Sequence, residues 1–356
     1  MSRLKNKQPN IPKANFEDYF YILAGEPKTG KTTLFAKLVE ELYGDVTKGI
    51  LLACEAGYQA LKVTAEDVNN WDDFEELVDE LVEEKDELPY KIIGIDTGDK
   101  LWTYAQNAVI KEWNINNPNK KTKYITGVGA KKKGAEGFGA GYNQAAGKIE
   151  EQIDRLFKSG YGVVVVCHSK NQTIEEEDGT KYDQLVVSLP QKAREVFIDR
   201  ADFITFLKKE KTKTDDGVET KRYMYFRSDG YVDAGCRFDY VPERIEFNDD
   251  PKQFIQIFED AVKAEFGDEK EVVQIKEQQK EQREKEAQEY IKQEKENKSV
   301  DDYIKEIDKM VKQIDKAKRN EAANQIENIL GTKNYKQIDD VQLLQEALES
   351  LEEFVG

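Results

Sequence analysis

A lysine and a threonine in a glycine-rich stretch are the first residues of this sequence whose types and spacing indicate chemistry. The stretch fits G-x-x-x-x-G-K-[ST], in which backbone N–H groups and the lysine surround phosphate oxygens and the hydroxyl reaches Mg²⁺. An apolar run, residues 19–24, precedes it, and a helical pattern, residues 31–42, follows, which argues against the alternative of a chance glycine-rich turn. We therefore predict a site for a nucleoside triphosphate and Mg²⁺. Its loop residues are Gly25, Glu26, Pro27, Lys28, Thr29, Gly30, Lys31, Thr32 and Thr33.

Three further polar residues follow apolar runs that read as buried strands. They are Glu55 after residues 49–54, Asp96 within residues 91–97, and the only histidine, His168, after residues 161–167. Parallel strands bring their carboxyl ends to one edge of a sheet, where ligands bind. Asp96 is predicted to hold Mg²⁺ together with Thr32, the alternative being a cap or turn residue. Glu55 is a candidate general base or an ordinary loop acid, and His168 is a γ-phosphate contact or a structural histidine.

The overall composition limits the class of protein. The chain has 356 residues and a net charge of −17, which argues against whole-surface attraction to nucleic acid but allows a local basic channel. No apolar segment is long enough to span a bilayer, so no membrane partner is expected. The polar N-terminus and three cysteines without metal or disulfide spacing predict a cytoplasmic protein in a reducing compartment.

Apolar runs alternate with helical patterns as far as about residue 264. This alternation predicts an α/β fold, with a mostly parallel sheet covered by helices on both faces. We divide the chain into an N-terminal extension (1–15), this core (16–264), a charged linker that is helical or disordered (265–299), and a small helical module (300–356).

A long polar and glycine-rich segment, residues 114–142, is a candidate functional loop. Its lysines and aromatic side chains suit single-stranded DNA, through phosphate neutralisation and base stacking. The alternative is a mobile solvated loop. The predicted DNA-binding residues are Lys131, Lys132, Lys133, Phe138 and Tyr142.

Basic residues later in the chain have two interpretations. Arg222, Arg227 and Arg237 are candidates for a charge delivered to the nucleotide of a neighbouring subunit. A run of lysines in residues 208–213 is typical of a solvated face.

The segments GEPKTGKTT, CEAG, IIGIDT and VVVVCHSK, in this order, resemble the RecA-like ATPase core. The resemblance covers about residues 16–258 and is greater to the phage-encoded RecA-like P-loop ATPases of AAA_24 type, which include Sak-type single-strand annealing proteins. It implies ATP and Mg²⁺ as cofactors, with Lys31, Glu55, His168 and Arg237 as catalytic residues. Glu55 would activate water, His168 would sense the γ-phosphate, and Arg237 would be the inter-subunit finger, with Gly235 at the lysine position of a K-x-R motif.

The same resemblance places DNA-binding loops at residues 127–142 and 169–189, although the acidic run at 175–178 departs from such a loop. It also implies a homo-oligomer, either a ring or a filament. The leading hypothesis is a DNA-stimulated ATPase acting on single-stranded DNA in phage recombination, annealing or replication, in the bacterial host cytoplasm. The alternative is a nucleotide-gated adaptor ATPase whose C-terminal helices dock a replication or packaging partner. A small-molecule kinase is a third alternative, but residues 114–142 lack the arginine-rich lid that it needs.

Overall fold

The computed structural model describes residues 10–214, 217–266 and 269–354. The chain forms two compact units, Met1–Ala287 and Gln288–Gly356. No helix among the described residues is both long and apolar enough to cross a membrane.

The first unit is built on one large sheet. Within the described residues its strands are β1 (Phe20–Gly25), β2 (Gly49–Ala53), β3 (Ala65–Asp67), β4 (Ile92–Asp96), β5 (Gly162–Glu175), β6 (Lys181–Val187), β7 (Phe203–Thr214), β8 (Gly217–Tyr225), β9 (Gly235–Cys236) and β10 (Arg244–Glu246). The order across the sheet is β10-β8-β7-β1-β5-β4-β2-β3, and the strands from β7 to β3 are parallel. β8 and β10 add antiparallel strands at one edge, and β6 pairs antiparallel with the second half of β5. The predicted α/β fold with a mostly parallel sheet is confirmed.

Helices cover both faces of this sheet. They are α1 (Lys31–Tyr43), α2 (Trp71–Glu83), α3 (Gly98–Asn116), α4 (Ala140–Lys158), α5 (Gln191–Phe197) and α6 (Lys252–Phe266). Alternate residues of a strand point to opposite faces. On β1, Tyr21 accordingly packs in the core formed with α1 and α6, whereas Phe20 contacts Phe157 of α4. This double burial explains why β1 and the first half of β5 read as continuous apolar runs.

The predicted long loop between α3 and α4 is shorter and more ordered than the sequence suggested. α3 continues to Asn116 and α4 already begins at Ala140. Between them, the side chains of Ile125, Val128 and Ala130 are buried. These three buried side chains fix the first part of the segment to the protein, although Lys123 and Tyr124 beside them are exposed. The later residues 131–136 and Phe138 are exposed.

The charged region after α6 forms a helix, α7 (Glu269–Glu296), which continues from the first unit into the second. Its first half is attached to the first unit by specific contacts. The side-chain amide of Gln279 accepts the backbone N–H of Ala14 at 2.8 Å and donates to the carbonyl of Pro12 at 2.9 Å. Arg283 forms an ion pair with Asp18 at 3.0 Å. The sequence left open whether this charged linker is helical or disordered, and its described residues 269–296 form a helix.

The second unit is a small helical bundle, as the sequence predicted. α8 (Val300–Gln313), α9 (Arg319–Leu330) and α10 (Val341–Leu351) enclose an apolar core. Ser299 begins α8 with a reciprocal capping box, in which its hydroxyl accepts the N–H of Asp302 while the Asp302 carboxylate accepts the N–H of Ser299.

Candidate active site

The glycine-rich loop connects the carboxyl end of β1 to α1. Gly25 ends the strand with a φ of +155°, and a Cβ there would lie 2.4 Å from the carbonyl oxygen of Leu207 on β7. Gly30 precedes α1 with a φ of +99°, a conformation that side chains disfavour. The hydroxyl of Thr29 donates to the carbonyl of Glu26 at 2.9 Å and braces the turn. The two glycines of the motif are therefore required by the path of the backbone.

Lys31 lies inside this loop and is only 6% exposed. Its ammonium donates to the carbonyl oxygens of Gly25 and Glu26, both at 2.9 Å. Burial lowers the pKa of Lys31, while the nearby carboxylates of Asp96, Asp99 and Glu55 oppose that shift. A phosphate group would offer this ammonium charged acceptors, which form stronger hydrogen bonds than neutral carbonyls.

Thr32 and Asp96 form a hydrogen-bonded pair beside Lys31. The Thr32 hydroxyl donates to Oδ2 of Asp96 at 2.6 Å, and Asp96 is 7% exposed at the end of β4. Burial raises the pKa of Asp96, and the Thr32 hydrogen bond and the Lys31 charge counteract that effect. Mg²⁺ binds oxygen ligands, and a hydroxyl and a carboxylate this close together can both provide them. Thr32 and Asp96 therefore fit a Mg²⁺ site.

The neighbouring strand ends bring Glu55 and His168 together. Nε2 of His168 lies 3.9 Å from Oε2 of Glu55, and both side chains are partly exposed. The sequence predicted that β5 ends at His168, but the strand does not end there. It continues to Glu175 because its polar second half pairs with β6. The side chain of His168 nevertheless lies at the carboxyl edge, since Gly25 at the end of β1 is its partner in register.

Asp99 is a member of this site that the sequence analysis missed. Thr97 caps α3 by accepting the N–H of Lys100, which places Asp99 in the first turn of the helix that follows β4. The Asp99 carboxylate contacts both the backbone N–H and Nδ1 of His168, at 3.1 and 2.9 Å. A second acid three residues after Asp96, directly behind a strand end, was the signal available in the sequence.

Two cations of the β7–β8 hairpin lie on the phosphate-binding loop of their own chain. Lys209 donates to the carbonyl of Lys28 at 3.0 Å, and a guanidinium nitrogen of Arg222 lies 3.5 Å from the carbonyl of Thr29. Arg222 also forms an ion pair with Asp249. Arg222 is thus held against the phosphate-binding loop of its own chain, and Lys209, although exposed, contacts the same loop.

The family model of AAA_24, described as an AAA domain, matches residues 17–238. The chain belongs to this family. The matched residues include the glycine-rich loop, Glu55, Asp96, His168 and Arg237. P-loop ATPases of this kind hydrolyse nucleotides and generally use ATP with Mg²⁺.

Among solved structures, the AAA domain protein is similar to the KaiC-like protein PH0186 from the hyperthermophilic archaeon Pyrococcus horikoshii OT3. The two are 14% identical, the similarity covers 65% of this chain and 90% of the other, and the TM-score is 0.34. No curated protein matches the sequence significantly.

The two remaining arginine candidates of the AAA domain differ in how they are held. Arg227 is engaged by the carbonyls of Val241 and Phe238. Arg237 donates to the carbonyls of Asp199 and Arg200, at 3.0 and 3.3 Å, but its side chain stays 60% exposed.

Arg237 is also distant from the phosphate-binding loop of its own chain. It follows β9, which pairs with Phe203 and Ile204 at the amino end of β7, whereas the loop lies at the carboxyl edge. The N–H of Arg237 donates to the carbonyl of Asp202, and Leu207 pairs with Gly25 of the loop. From Asp202 to Leu207 are five residue steps of about 3.3 Å, roughly 17 Å along the strand. Arg237 therefore lies at the opposite edge of the sheet from the phosphate-binding loop of its own chain.

The predicted DNA-binding residues of the AAA domain lie on or beside one exposed segment. The lysines at 131–133 are exposed, and Phe138 is 97% exposed with a φ of +52°. Tyr142 lies in the first turn of α4 and is partly buried. A fully exposed phenylalanine and three exposed lysines thus offer a stacking surface and charge within the eight residues 131–138.

Proposed function

We propose that this AAA domain protein hydrolyses ATP and acts on single-stranded DNA, in phage recombination, annealing or replication. Lys31 binds the β- and γ-phosphates, Thr32 and Asp96 hold Mg²⁺, and Glu55 takes a proton from the attacking water. His168 lies beside the γ-phosphate, where a polar side chain responds to hydrolysis. A neighbouring subunit supplies Arg237, so the active form is a homo-oligomer.

The observation that carries the DNA part of the proposal is the exposure of Phe138. A phenylalanine that is 97% exposed gains nothing from burial in this chain, and a base stacked on it would remove that surface from water. The adjacent lysines at 131–133 can neutralise phosphates. The buried side chains of Ile125 and Val128 hold the base of the segment, so its exposed part projects from a fixed support.

The adaptor alternative is supported by a different observation. Residues 300–354 form a bundle with an apolar core of their own, whereas the phosphate-binding loop, Asp96 and His168 all belong to the first unit. Such a unit suits the docking of a partner protein. Under this alternative the ATPase activity does not respond to DNA.

The test is ATP turnover with and without single-stranded DNA, combined with DNA titrations at several salt concentrations. Changing the three lysines at 131–133 to alanine should reduce the salt dependence of binding, with a slope smaller by about 2 for three lost charges. Phe138→Ala should weaken binding by about 1–3 kcal/mol, roughly 5- to 150-fold, with the same salt slope.

Matched controls distinguish local contacts from general charge. Lys305, Lys316 and Lys318 are exposed lysines of the second unit, and their change to alanine removes the same three charges. Neutralising the acidic run at 175–178 should not weaken binding, because we place it outside the DNA path. If the wild-type protein with ATP has no measurable affinity for single strands at low salt, the DNA proposal fails and the adaptor alternative leads.

A further inference from the structure

We propose that Asp99 holds the imidazole of His168 in the tautomer that carries its proton on Nδ1. The unprotonated Nε2 and the carboxylate of Glu55 then accept hydrogen bonds from the two O–H groups of one attacking water. Asp99 is thus a positioning residue. The part concerning water rests on the proposed ATP hydrolysis, whereas the part concerning the tautomer does not.

The contacts of Asp99 fix both the main chain and the ring of His168. Oδ1 of Asp99 accepts the backbone N–H of His168 at 3.1 Å, and Oδ2 lies 2.9 Å from Nδ1. An ionised carboxylate only accepts hydrogen bonds, so the proton of the neutral ring belongs on Nδ1. Both contacts are made within the chain, so the ring is oriented by the protein's own groups.

The second ring nitrogen faces Glu55. Nε2 of neutral His168 has a lone pair, and it lies 3.9 Å from Oε2 of Glu55, too far for a direct hydrogen bond. A water that donates both protons over bonds of about 2.8 Å spans two acceptors about 4.4 Å apart. The observed separation is close to that value, so the pair of acceptors matches one water molecule.

This geometry assigns each proton of the water in the hydrolytic step. As the water oxygen bonds to the γ-phosphorus, the bond to the β,γ-bridging oxygen breaks and its electron pair leaves with ADP. One water proton passes to the carboxylate of Glu55, and the other, hydrogen-bonded to Nε2 of His168, stays on the product phosphate. A neutral His168 in this tautomer cannot donate from Nε2 to a phosphate oxygen, so it positions water rather than binding the phosphate directly.

The tautomer can be measured without any enzymatic activity. His168 is the only histidine of the chain, so two-bond ¹H–¹⁵N correlation spectra of ¹⁵N-labelled protein report on this ring alone. At a pH where the ring is neutral, we expect the chemical shift of a protonated nitrogen at Nδ1 and of an unprotonated nitrogen at Nε2. The reverse assignment in the wild-type protein would overturn the proposal.

Two variants connect the tautomer to turnover. Asp99→Asn turns an amide N–H toward Nδ1 and should move the proton to Nε2, with a fall in kcat of between about 10- and 10⁴-fold and a KM for ATP within about threefold. Asp99→Glu keeps an acceptor and should retain the wild-type tautomer with part of the activity. Asp339→Asn, an exposed acid of the second unit, is the matched control and should change neither.

The outcomes separate the two parts of the proposal. An unchanged tautomer in Asp99→Asn overturns the positioning role. A changed tautomer with unchanged kcat overturns the role in water binding. If the wild-type protein does not hydrolyse ATP, the proposed function fails while the spectra still decide the role of Asp99. Should Asp99→Asn not fold, the spectra of the wild-type protein and of Asp99→Glu decide it.

Discussion

Replacing Lys31 with methionine should separate nucleotide binding from folding. The Lys31 ammonium donates hydrogen bonds to the carbonyls of Gly25 and Glu26. The lowered pKa of Lys31 shows that its burial is unfavourable for the charged form. Methionine, an apolar side chain of similar length, cannot make the two hydrogen bonds, but it also avoids the free-energy cost of burying a charge. Replacing a buried charge with an apolar side chain of similar volume often leaves the stability unchanged. We expect the free energy of unfolding to change by no more than about 1 kcal/mol.

The effect on ATP affinity should be larger, and the structure limits its size. When ATP binds to the wild-type protein, Lys31 exchanges two carbonyl acceptors for phosphate oxygens. Its contribution to the binding free energy is therefore only the difference in hydrogen-bond strength between these two kinds of acceptor. A hydrogen bond from a charged group to a neutral one contributes about 1.5–3 kcal/mol, and a pair of unit charges at 4 Å adds about 4 kcal/mol at an effective dielectric constant of 20. We take the net loss as about 2–4 kcal/mol, roughly a 30- to 700-fold weaker affinity.

The assay is a titration with a fluorescent ATP analogue, together with urea unfolding followed by tryptophan fluorescence. All three tryptophans, Trp71, Trp102 and Trp113, belong to the first unit, so their fluorescence reports on the unit that contains the site. Lys62→Met, an exposed lysine of the same unit, is the control. An affinity within threefold of the wild type would refute the role of Lys31. A loss of stability above about 3 kcal/mol would refute the reasoning on burial.

Three further predictions concern other charged side chains. Arg222→Ala should weaken nucleotide binding by isolated subunits, because Arg222 lies on its own phosphate-binding loop. Arg237→Ala should leave that binding intact and lower turnover only in the assembled protein, with activity partly restored by mixing with Glu55→Gln subunits. Lys85→Met should stabilise the protein at pH 7 by about 1–3 kcal/mol, because the Lys85 ammonium is buried over the ring of Tyr161 without a hydrogen-bond partner in the described part of the chain.

The Lys85 prediction has a pH signature with a definite sign. Burial lowers the pKa of Lys85 from 10.5 to about 7. Between these values the unfolded chain binds more protons than the folded chain, so the stability of the wild-type protein should rise with pH, by up to about 1.4 kcal/mol per unit. Urea unfolding of Lys85→Met between pH 7 and 9 should lack this contribution, and an exposed lysine changed in the same way, Lys123→Met, should keep it. Equal slopes in the two variants would contradict the prediction.

For the mixing experiment, the outcome depends on a shared interface. If no ratio of Arg237→Ala to Glu55→Gln subunits restores activity, Arg237 does not act in a neighbouring site. If Arg222→Ala binds nucleotide as the wild type does, its contact with the loop has no part in binding.

Local signals predicted the elements that position the site. The four consecutive valines of β5 and the glycines of the phosphate-binding loop are determined by short-range constraints, namely burial on both faces and backbone conformation. The strand β3 was missed because its three residues, Ala65–Asp67, are at the sheet edge and carry no apolar pattern. The end of β5 was placed too early, because the polar residues after His168 form a strand only through pairing with β6. Neither segment by itself carries a pattern that predicts this pairing.

Two residues whose contacts at the site the sequence did not predict share one property. Asp99 and Arg222 are polar residues whose roles depend on contacts with distant parts of the chain. Periodicity reports which face of an element is buried, and it does not report which partner a polar side chain meets. The motif positions Lys31, Thr32 and Asp96 could be predicted because their relation is fixed by the strand–loop–helix unit and its neighbouring strand.

The net charge of −17 and a DNA-binding role can be reconciled through the local distribution of charge. Residues 119–142 contain six lysines and one acid, Glu136, so this segment alone carries a net charge of +5. At physiological ionic strength the screening length is about 8 Å, so acids farther away than that have little effect on a phosphate bound here. At 0.01 M salt the length grows to about 30 Å, and the acidic remainder of the protein then opposes DNA. The affinity for single strands should therefore rise less steeply at the lowest salt concentrations than the six lysines alone would predict, and binding measured only under those conditions would underestimate the contribution of the segment.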